Sequence, residues 1–178
     1  MNVSPDRILD RVGRVFRRDA SVYREIARDP GALREAAIVV AIVAIFSGIG
    51  AVSDSPKRVI VALIGAFLSW LVFSAMTYFF GKNIFGTPTT QTSTEALLRT
   101  QGYAQAPNLI AILGFIPLIG WIFVFIGWII GIIAAVQAIR ETLSLSTGRA
   151  ILIAILAAIT SGIVLAILGT IFGIGWAV

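Results

Sequence analysis

The stretch Gly102–Trp121, GYAQAPNLIAILGFIPLIGW, decides how many times this chain crosses a membrane. It is apolar enough to lie in a bilayer, yet it contains two prolines, several glycines and polar residues near its start. Either the chain crosses once here as a bent helix, or it turns within the stretch and returns. The composition of the whole chain and the placement of its charges distinguish the two.

The composition is that of a membrane protein. Hydrophobic residues make up 58% of the 178 residues and charged residues 13%, whereas a soluble domain has about 25% charged residues. The chain contains no cysteine and no histidine, which excludes disulfides, thiol chemistry and imidazole chemistry. No pair of carboxylates, activated nucleophile, phosphate loop or metal cluster is apparent. We therefore expect no enzymatic activity and no cofactor.

Residues 1–35 are predicted to form a cytoplasmic, basic, amphipathic helical segment. Ser4 and Pro5 suit a helix start, a break is expected near Asp19, and Asp29-Pro30 is expected to end the helix. A basic stripe lies beside the apolar stripe: Arg7, Arg11, Arg14 and Arg18. Such a helix can bind anionic headgroups at the membrane surface; the alternative is packing on the protein's own inner face or on a partner. This charge distribution does not suggest nucleic-acid binding.

The rest of the chain, residues 36–178, is predicted to be an all-α transmembrane domain. Residues 109–139 contain no charge and would extend about 46 Å as one helix, longer than a bilayer core of about 30 Å. A tight turn at Pro117–Gly120 would divide this region into two spans. The predicted five spans are then 36–52, 59–80, 96–116, 118–139 and 150–176.

The distribution of lysine and arginine favours five spans over four. With the amino terminus inside, five spans put twelve basic residues on the inner side and two outside, against ten and four for a single bent span over 93–139. Basic residues are enriched on the cytoplasmic side. Trp121 and Trp176 would both lie at the outer interface, where tryptophan is favoured. We therefore expect the amino terminus in the cytoplasm and the carboxyl terminus outside.

Polar residues within the predicted spans form a candidate interaction face. They are Gln101, Gln105 and Asn108 in the third span and Gln137 near the inner end of the fourth. The face is either a groove for a lipid headgroup, a solute or a partner helix, or a set of interhelical hydrogen bonds.

Shorter patterns add local expectations. Thr92 and Glu95 fit a capping box, and Glu95 with Arg99 forms either a gate or a surface ion pair. Gly127 with Gly131, and Gly169 with Gly173, have the spacing of closely packed helices, within the chain or between copies.

Several of these elements together resemble the Yip family of Ypt-interacting proteins. The matching residues are Arg28-Asp29-Pro30, the GYxxxP element with Gly102, Tyr103 and Pro107, and the hairpin residues Pro117 and Gly120. The resemblance implies a non-enzymatic, multi-pass membrane protein; eukaryotic relatives bind prenylated Rab-type GTPases and influence vesicle traffic and membrane shape. This chain has neither a long cytosolic amino-terminal region nor a DLYGP element, and resembles the compact prokaryotic members, which implies a bacterial or archaeal cell membrane.

The sequence therefore predicts a membrane-organising or protein-interaction module. Its expected partners are the bilayer itself and either another membrane protein or a second copy of the chain. The alternatives are a small channel or carrier for a solute or lipid, lined by the amide face, and an accessory subunit of a larger membrane complex.

Overall fold

The structure, a computed structural model, describes residues 4–50, 56–87, 90 and 92–171. Within these ranges the chain folds into helices without strands. The α-helices are α1 (Pro5–Phe16), α2 (Ser21–Arg28), α3 (Ala32–Gly50), α4 (Pro56–Tyr78), α5 (Thr94–Ala104), α6 (Gly120–Leu143) and α7 (Thr147–Ile171). A π-helix, Phe79–Ile84, continues α4, and a 3₁₀ segment, Ala106–Phe115, continues α5.

Both predicted breaks in the amino-terminal region are confirmed. The carboxylate of Asp19 accepts hydrogen bonds from the backbone of Ser21 (3.0 Å) and from Nε of Arg14 (2.8 Å), which stabilises the corner between α1 and α2. Arg18 takes a left-handed conformation there, with φ 58°. After Asp29 the chain bends by 119° from α2 into α3, so α2 runs across the direction of the following helix.

The turn predicted at Pro117–Gly120 is also confirmed. Pro107 lacks an amide hydrogen, and the chain leaves the α-helical path for the 3₁₀ segment, which ends at Phe115. The backbone nitrogens of Ile119 and Gly120 then donate to Pro117 and Ile116 at 2.9 and 2.8 Å. A Cβ on Gly120 would lie 2.2 Å from the carbonyl oxygen of Gly114, so only glycine fits. The chain turns and returns as α6.

Two local predictions need correction. The helix after residue 59 does not end at Phe80 but continues as a π-helix to Ile84, over a segment expected to be a loop, and Gly81 within it lies close to Leu143. The capping box was wrong by one residue: Oγ of Ser93, not Thr92, accepts from the backbone of Ala96 at 3.1 Å.

Among the described residues, three helices are long and apolar enough to cross a membrane: Ile60–Ile84, Gly120–Leu143 and Thr147–Ile171. A fourth is added if α2 and the described part of α3 are counted as one bent span. The predicted count of five is not confirmed by this criterion, because α3 does not count by itself and the third predicted span consists of two shorter helices. The expectations for Gly173 and Trp176 lie outside the described residues.

The amino-terminal helices share a core with the longer helices. Val15 and Tyr23 are buried against Val40 of α3 and Tyr103 of α5. A second core, with Leu97, Ile139 and Ile153, joins α5, α6 and α7. The segments predicted as 1–35 and 36–178 therefore pack on one another through a common apolar interior.

Candidate functional site

A completely buried carboxylate lies at the junction between the amino-terminal helices and the bundle. Glu35, in the first turn of α3, has 0% of its surface exposed. Its Oε2 accepts hydrogen bonds from Nη1 of Arg11 and from the hydroxyl of Tyr103, both at 2.7 Å. Its Oε1 accepts from Nε of Arg7 at 2.7 Å. The carboxylate is thus fully satisfied by residues from α1 and α5.

Arg11 links three helices. Its side chain is 3% exposed and binds Glu35 of α3, Glu25 of α2 (2.9 Å) and Asp29 (2.8 Å). We call this set the Arg11–Glu35 cluster: Arg7, Arg11, Glu25, Asp29, Glu35 and Tyr103. Arg14 adds further contacts, 2.6 Å from Glu25 and 2.8 Å from Asp19, so each of the three arginines is paired with at least one carboxylate of the same chain.

The electrostatics of the cluster favour the ionised forms. Burial opposes the charge on Arg11, but the hydrogen bonds that it donates to Asp29 and Glu25 raise its pKa above the ordinary value. Burial likewise opposes the charge on Asp29, while Arg11 lowers the pKa of that carboxyl. The pKa of Glu25 is lowered mainly by its hydrogen bond from Arg14. These groups are therefore charged at neutral pH.

This pairing was not anticipated for the arginines predicted at the membrane surface. Arg7, Arg11 and Arg14 bind carboxylates of their own chain, while Arg17 and Arg18 are exposed and form no ion pair within the described part of the chain. Headgroup binding stays a prediction. The available signals were the acidic residues interleaved with the arginines and Glu35 beside a long apolar run.

The structure brings part of the family motif to the cluster. Asp29 binds Arg11, and Tyr103 binds Glu35. Gly102 lies directly against α3, since a Cβ there would be 2.7 Å from Cβ of Ala36. Two separate motif elements thus meet at the same junction.

The other motif residues lie elsewhere. Arg28 and Pro30 are exposed. Pro107 is buried at the start of the 3₁₀ segment, and its carbonyl oxygen would be 3.2 Å from a Cβ on Gly127. Pro117 and Gly120 form the turn at the far end of that segment. They shape the hairpin and do not contact the cluster.

Three of the four predicted amide residues come together. Gln101, Gln105 and Asn108 line a cavity of about 330 Å³ between α4 and α6, together with Trp70 and Trp128. Gln137 lines a different, mainly apolar cavity of about 640 Å³ between α6 and α7. The predicted polar face is therefore divided between two places.

Glu95 and Arg99 form an ion pair that also holds helices together. Nη2 of Arg99 lies 2.9 Å from Glu95, and its Nη1 donates to the backbone oxygen of Ala27 at 2.9 Å. Arg99 is 8% exposed, so it ties the start of α5 to the end of α2.

The pair Gly127 and Gly131 allows close packing inside the chain. Cβ atoms at these positions would lie 3.2 Å from Pro107 and 3.0 Å from Asn108. This accounts for the glycine spacing by contact between α6 and the 3₁₀ segment.

Comparison with known proteins gives one match. The family model described as the Yip1 domain matches residues 13–169, nearly the whole chain. The matched region contains Glu25, Asp29, Glu35 and Tyr103 of the cluster, whereas Arg7 and Arg11 precede it. The comparisons with curated proteins and with solved structures gave no match.

Proposed function

Because the chain belongs to the Yip1 domain family, we propose that it is a non-enzymatic, five-span protein that organises the membrane or binds a partner at its inner surface. The family match confirms the resemblance recognised from the motifs. The prokaryotic type and the bacterial or archaeal cell membrane remain part of the proposal. The absence of cysteine and histidine from the sequence supports the non-enzymatic role.

The observation that carries this proposal is the Arg11–Glu35 cluster. It joins α1 and α2 to the bundle through buried, charge-assisted hydrogen bonds, which are about twice as strong as neutral ones. The amino-terminal helices are therefore a fixed part of the folded protein, and their outer faces form part of its surface. These contacts fix which side chains of α1 and α2 face away from the bundle, toward lipid or a partner.

The outer face of α1 suits the membrane boundary. Leu9 is 69% exposed and Phe16 is 37% exposed. They are seven residues apart, two helical turns, and so lie on one side of the helix. Arg17 and Arg18 are exposed next to Phe16. Apolar side chains inserted below the headgroups, with arginines reaching phosphates, characterise interfacial helices.

Five crossings are supported by how the helices run beside each other. Ala36 of α3 lies next to Gly102, and Ser47 further along α3 lines the same cavity as Gly114, so α3 and the α5–3₁₀ segment run in parallel. By helical rise, α3 extends about 28 Å and the α5–3₁₀ segment about 36 Å, both close to the bilayer core. Together with α4, α6 and α7 they make five passes.

The charges support a cytoplasmic amino terminus. Arg24 binds Glu141 at the end of α6 at 2.7 Å, and Arg99 binds the end of α2. Arg140 of α6 also binds Glu141, so Arg24, Arg99 and Arg140 lie at one end of the bundle, which the positive-inside rule assigns to the cytoplasm. A compartment-sensitive reporter fused to each end tests this. We expect the two ends to report opposite compartments; the same compartment for both would refute five spans.

The interfacial role is tested with single cysteines, since the natural chain has none. Spin labels at Leu9→Cys and at Asp10→Cys are compared in full-length protein reconstituted in vesicles containing phosphatidylglycerol. Both parent side chains are exposed, but they lie on different sides of α1. We expect the label at position 9 to be accessible to oxygen and that at position 10 to a water-soluble nickel reagent.

Water-like accessibility at both positions would refute lipid contact by α1. The partner role would then be tested by photo-crosslinking from position 9 in cells, with a matched crosslinker at position 10. A single defined adduct from position 9 alone would support a protein partner, and no adduct from either position would refute that role for α1.

A further inference from the structure

The cavity between α4 and α6 lies about halfway along the α6 helix. Gly131 is near the middle of this 24-residue helix, about 16 Å from its start by helical rise. Oδ1 of Asn108 lies 3.0 Å from the position that a Cβ on Gly131 would occupy. The amide of Asn108 is therefore far from both ends of the span.

Two amides at this depth lack partners. Gln101 donates to the backbone oxygen of Ala135 at 3.3 Å, whereas the side chains of Gln105 and Asn108 form no hydrogen bond within the ranges the structure describes. An amide without a partner in an apolar surrounding is costly by a few kcal/mol. Both side chains line the cavity and have room for a bound group.

The space has the size and lining of a ligand site. The cavity of about 330 Å³ adjoins another of about 670 Å³, and the two share Gln105, Asn108 and Trp128. Ligand sites commonly measure about 300–1,000 Å³, with mostly apolar walls and a few polar groups. Ser69 and Trp128 line the cavity and are exposed, so the cavity opens sideways between α4 and α6, toward lipid.

The lining specifies the chemistry of the occupant. Among the residues that the structure describes, none that lines either cavity is charged. A side-chain amide offers two N–H donors and one oxygen acceptor, which match carbonyl and hydroxyl oxygens. A phosphate or ammonium group at this depth would have no countercharge and is disfavoured.

We propose that this cavity binds one molecule of an uncharged lipid, with Gln105 and Asn108 donating hydrogen bonds to its carbonyl oxygens. Its polar part lies beside Trp70 and Trp128, and its chain leaves through the opening at Ser69 to join the bilayer. Diacylglycerols and prenylquinones both carry this chemistry. The inference goes beyond the proposed function and does not depend on it.

Native mass spectrometry of the full-length protein in detergent tests the proposal. The protein is titrated separately with dioleoylglycerol, with a short-chain prenylquinone and with phosphatidylglycerol. We expect one equivalent of at least one uncharged lipid to bind, and phosphatidylglycerol to bind at least tenfold more weakly. Comparing the affinities for dioleoylglycerol and the prenylquinone identifies which class of uncharged lipid the cavity binds.

Two variants locate the site. Gln105→Leu combined with Asn108→Leu removes both donors and should weaken binding roughly tenfold, the effect expected for two hydrogen bonds within a membrane. Ser69→Trp keeps the amides but covers the opening and should also weaken binding. The matched control is Gln137→Leu, an amide in the other cavity, which should leave the affinity unchanged.

The folded state is checked by thermal unfolding of each variant. Leucines in place of unpartnered amides should not lower the unfolding temperature. Unchanged affinity in the double variant would overturn the proposal. Binding of phosphatidylglycerol with equal affinity would also overturn the proposal. The absence of any lipid adduct on the parent protein would overturn it too, and would indicate that the cavity holds only water.

Discussion

The hydroxyl of Tyr103 lies 2.7 Å from Oε2 of Glu35, although 68 residues separate them in the chain. The contact joins the GYxxxP element of α5 to the first turn of α3, where Arg11 binds the same oxygen. It brings a motif residue in a predicted span into direct contact with the charges that attach α1.

Removing the Tyr103 hydroxyl should destabilise the protein. Tyr103→Phe deletes one buried hydrogen bond to a charged acceptor, for which about 1.5–3 kcal/mol is typical. We expect a loss near the lower end, because Arg7 and Arg11 still bind Glu35. Equilibrium unfolding in detergent measures it. The matched control is Tyr78→Phe, whose hydroxyl accepts from exposed Lys82; losses of equal size in both variants would contradict the special position of Tyr103.

Neutralising Glu35 should release α1 from the bundle. Glu35→Gln leaves Arg11 buried with one carboxylate fewer, and breaking a buried pair in this way commonly costs about 3–5 kcal/mol. Because Glu25 and Asp29 remain, we expect about 3 kcal/mol and faster tryptic cleavage after Arg11 and Arg14. Glu95→Gln is the control, since Glu95 is 67% exposed. Cleavage at the parental rate would show that the cluster does not hold α1.

Because α3 and α5 approach closely, we expect that no side chain larger than that of glycine fits at position 102. A methyl group there would lie 2.7 Å from Cβ of Ala36, so Gly102→Ala should destabilise by about 1–3 kcal/mol, the usual range for overpacking. Gly13→Ala, where nothing lies within 4 Å of the added Cβ, should be neutral or stabilising.

A double mutant tests the contact directly. Ala36→Gly should be less harmful in the Gly102→Ala background than alone, because it removes the clashing methyl group. The coupling energy is the difference between the change in unfolding free energy of the double variant and the sum of the changes of the two single variants. Strict additivity would mean that the two positions do not contact each other.

Between about pH 2 and pH 8, attachment of the amino-terminal helices should depend on pH only in the acidic part of that range. The pKa of Asp19 is lowered to about 2 by hydrogen bonds from Ser21 and Arg14, and those of Glu25 and Asp29 are also lowered. A carboxyl with a lowered pKa stabilises the folded state above its unfolded pKa, about 4, and loses this contribution as pH falls through the folded pKa.

Hydrogen exchange of α1 measures this dependence. Protection should be constant from pH 5 to 8, once corrected for intrinsic exchange rates, and should decline below about pH 4. A decline centred between pH 6 and 7 would contradict the assignment, because none of these carboxyls titrates there.

The sequence determined the local features of the fold. Asp29-Pro30 and Pro117–Gly120 interrupt helices at the predicted places, since proline and glycine constrain the backbone independently of distant residues. Long apolar runs predicted α4, α6 and α7 because a stretch of about 20 apolar residues is long enough to cross a bilayer. The motif residues were sufficient to recognise the family. The helix start at Ser93 was missed by one residue because Thr92, Ser93 and Thr94 all suit a cap.

Only the tertiary structure decided which charges and amides meet. Arg7, Arg11 and Arg14 looked like a stripe for lipid phosphates, but the bend after Asp29 carries α1 and α2 back to Glu35, where carboxylates of the same chain bind them. The sequence grouped Gln137 with Gln101, Gln105 and Asn108 in one polar face, but in the folded chain Gln137 lines another cavity. Pairings between distant residues depend on how helices cross and rotate, and no local pattern of residues encodes that geometry.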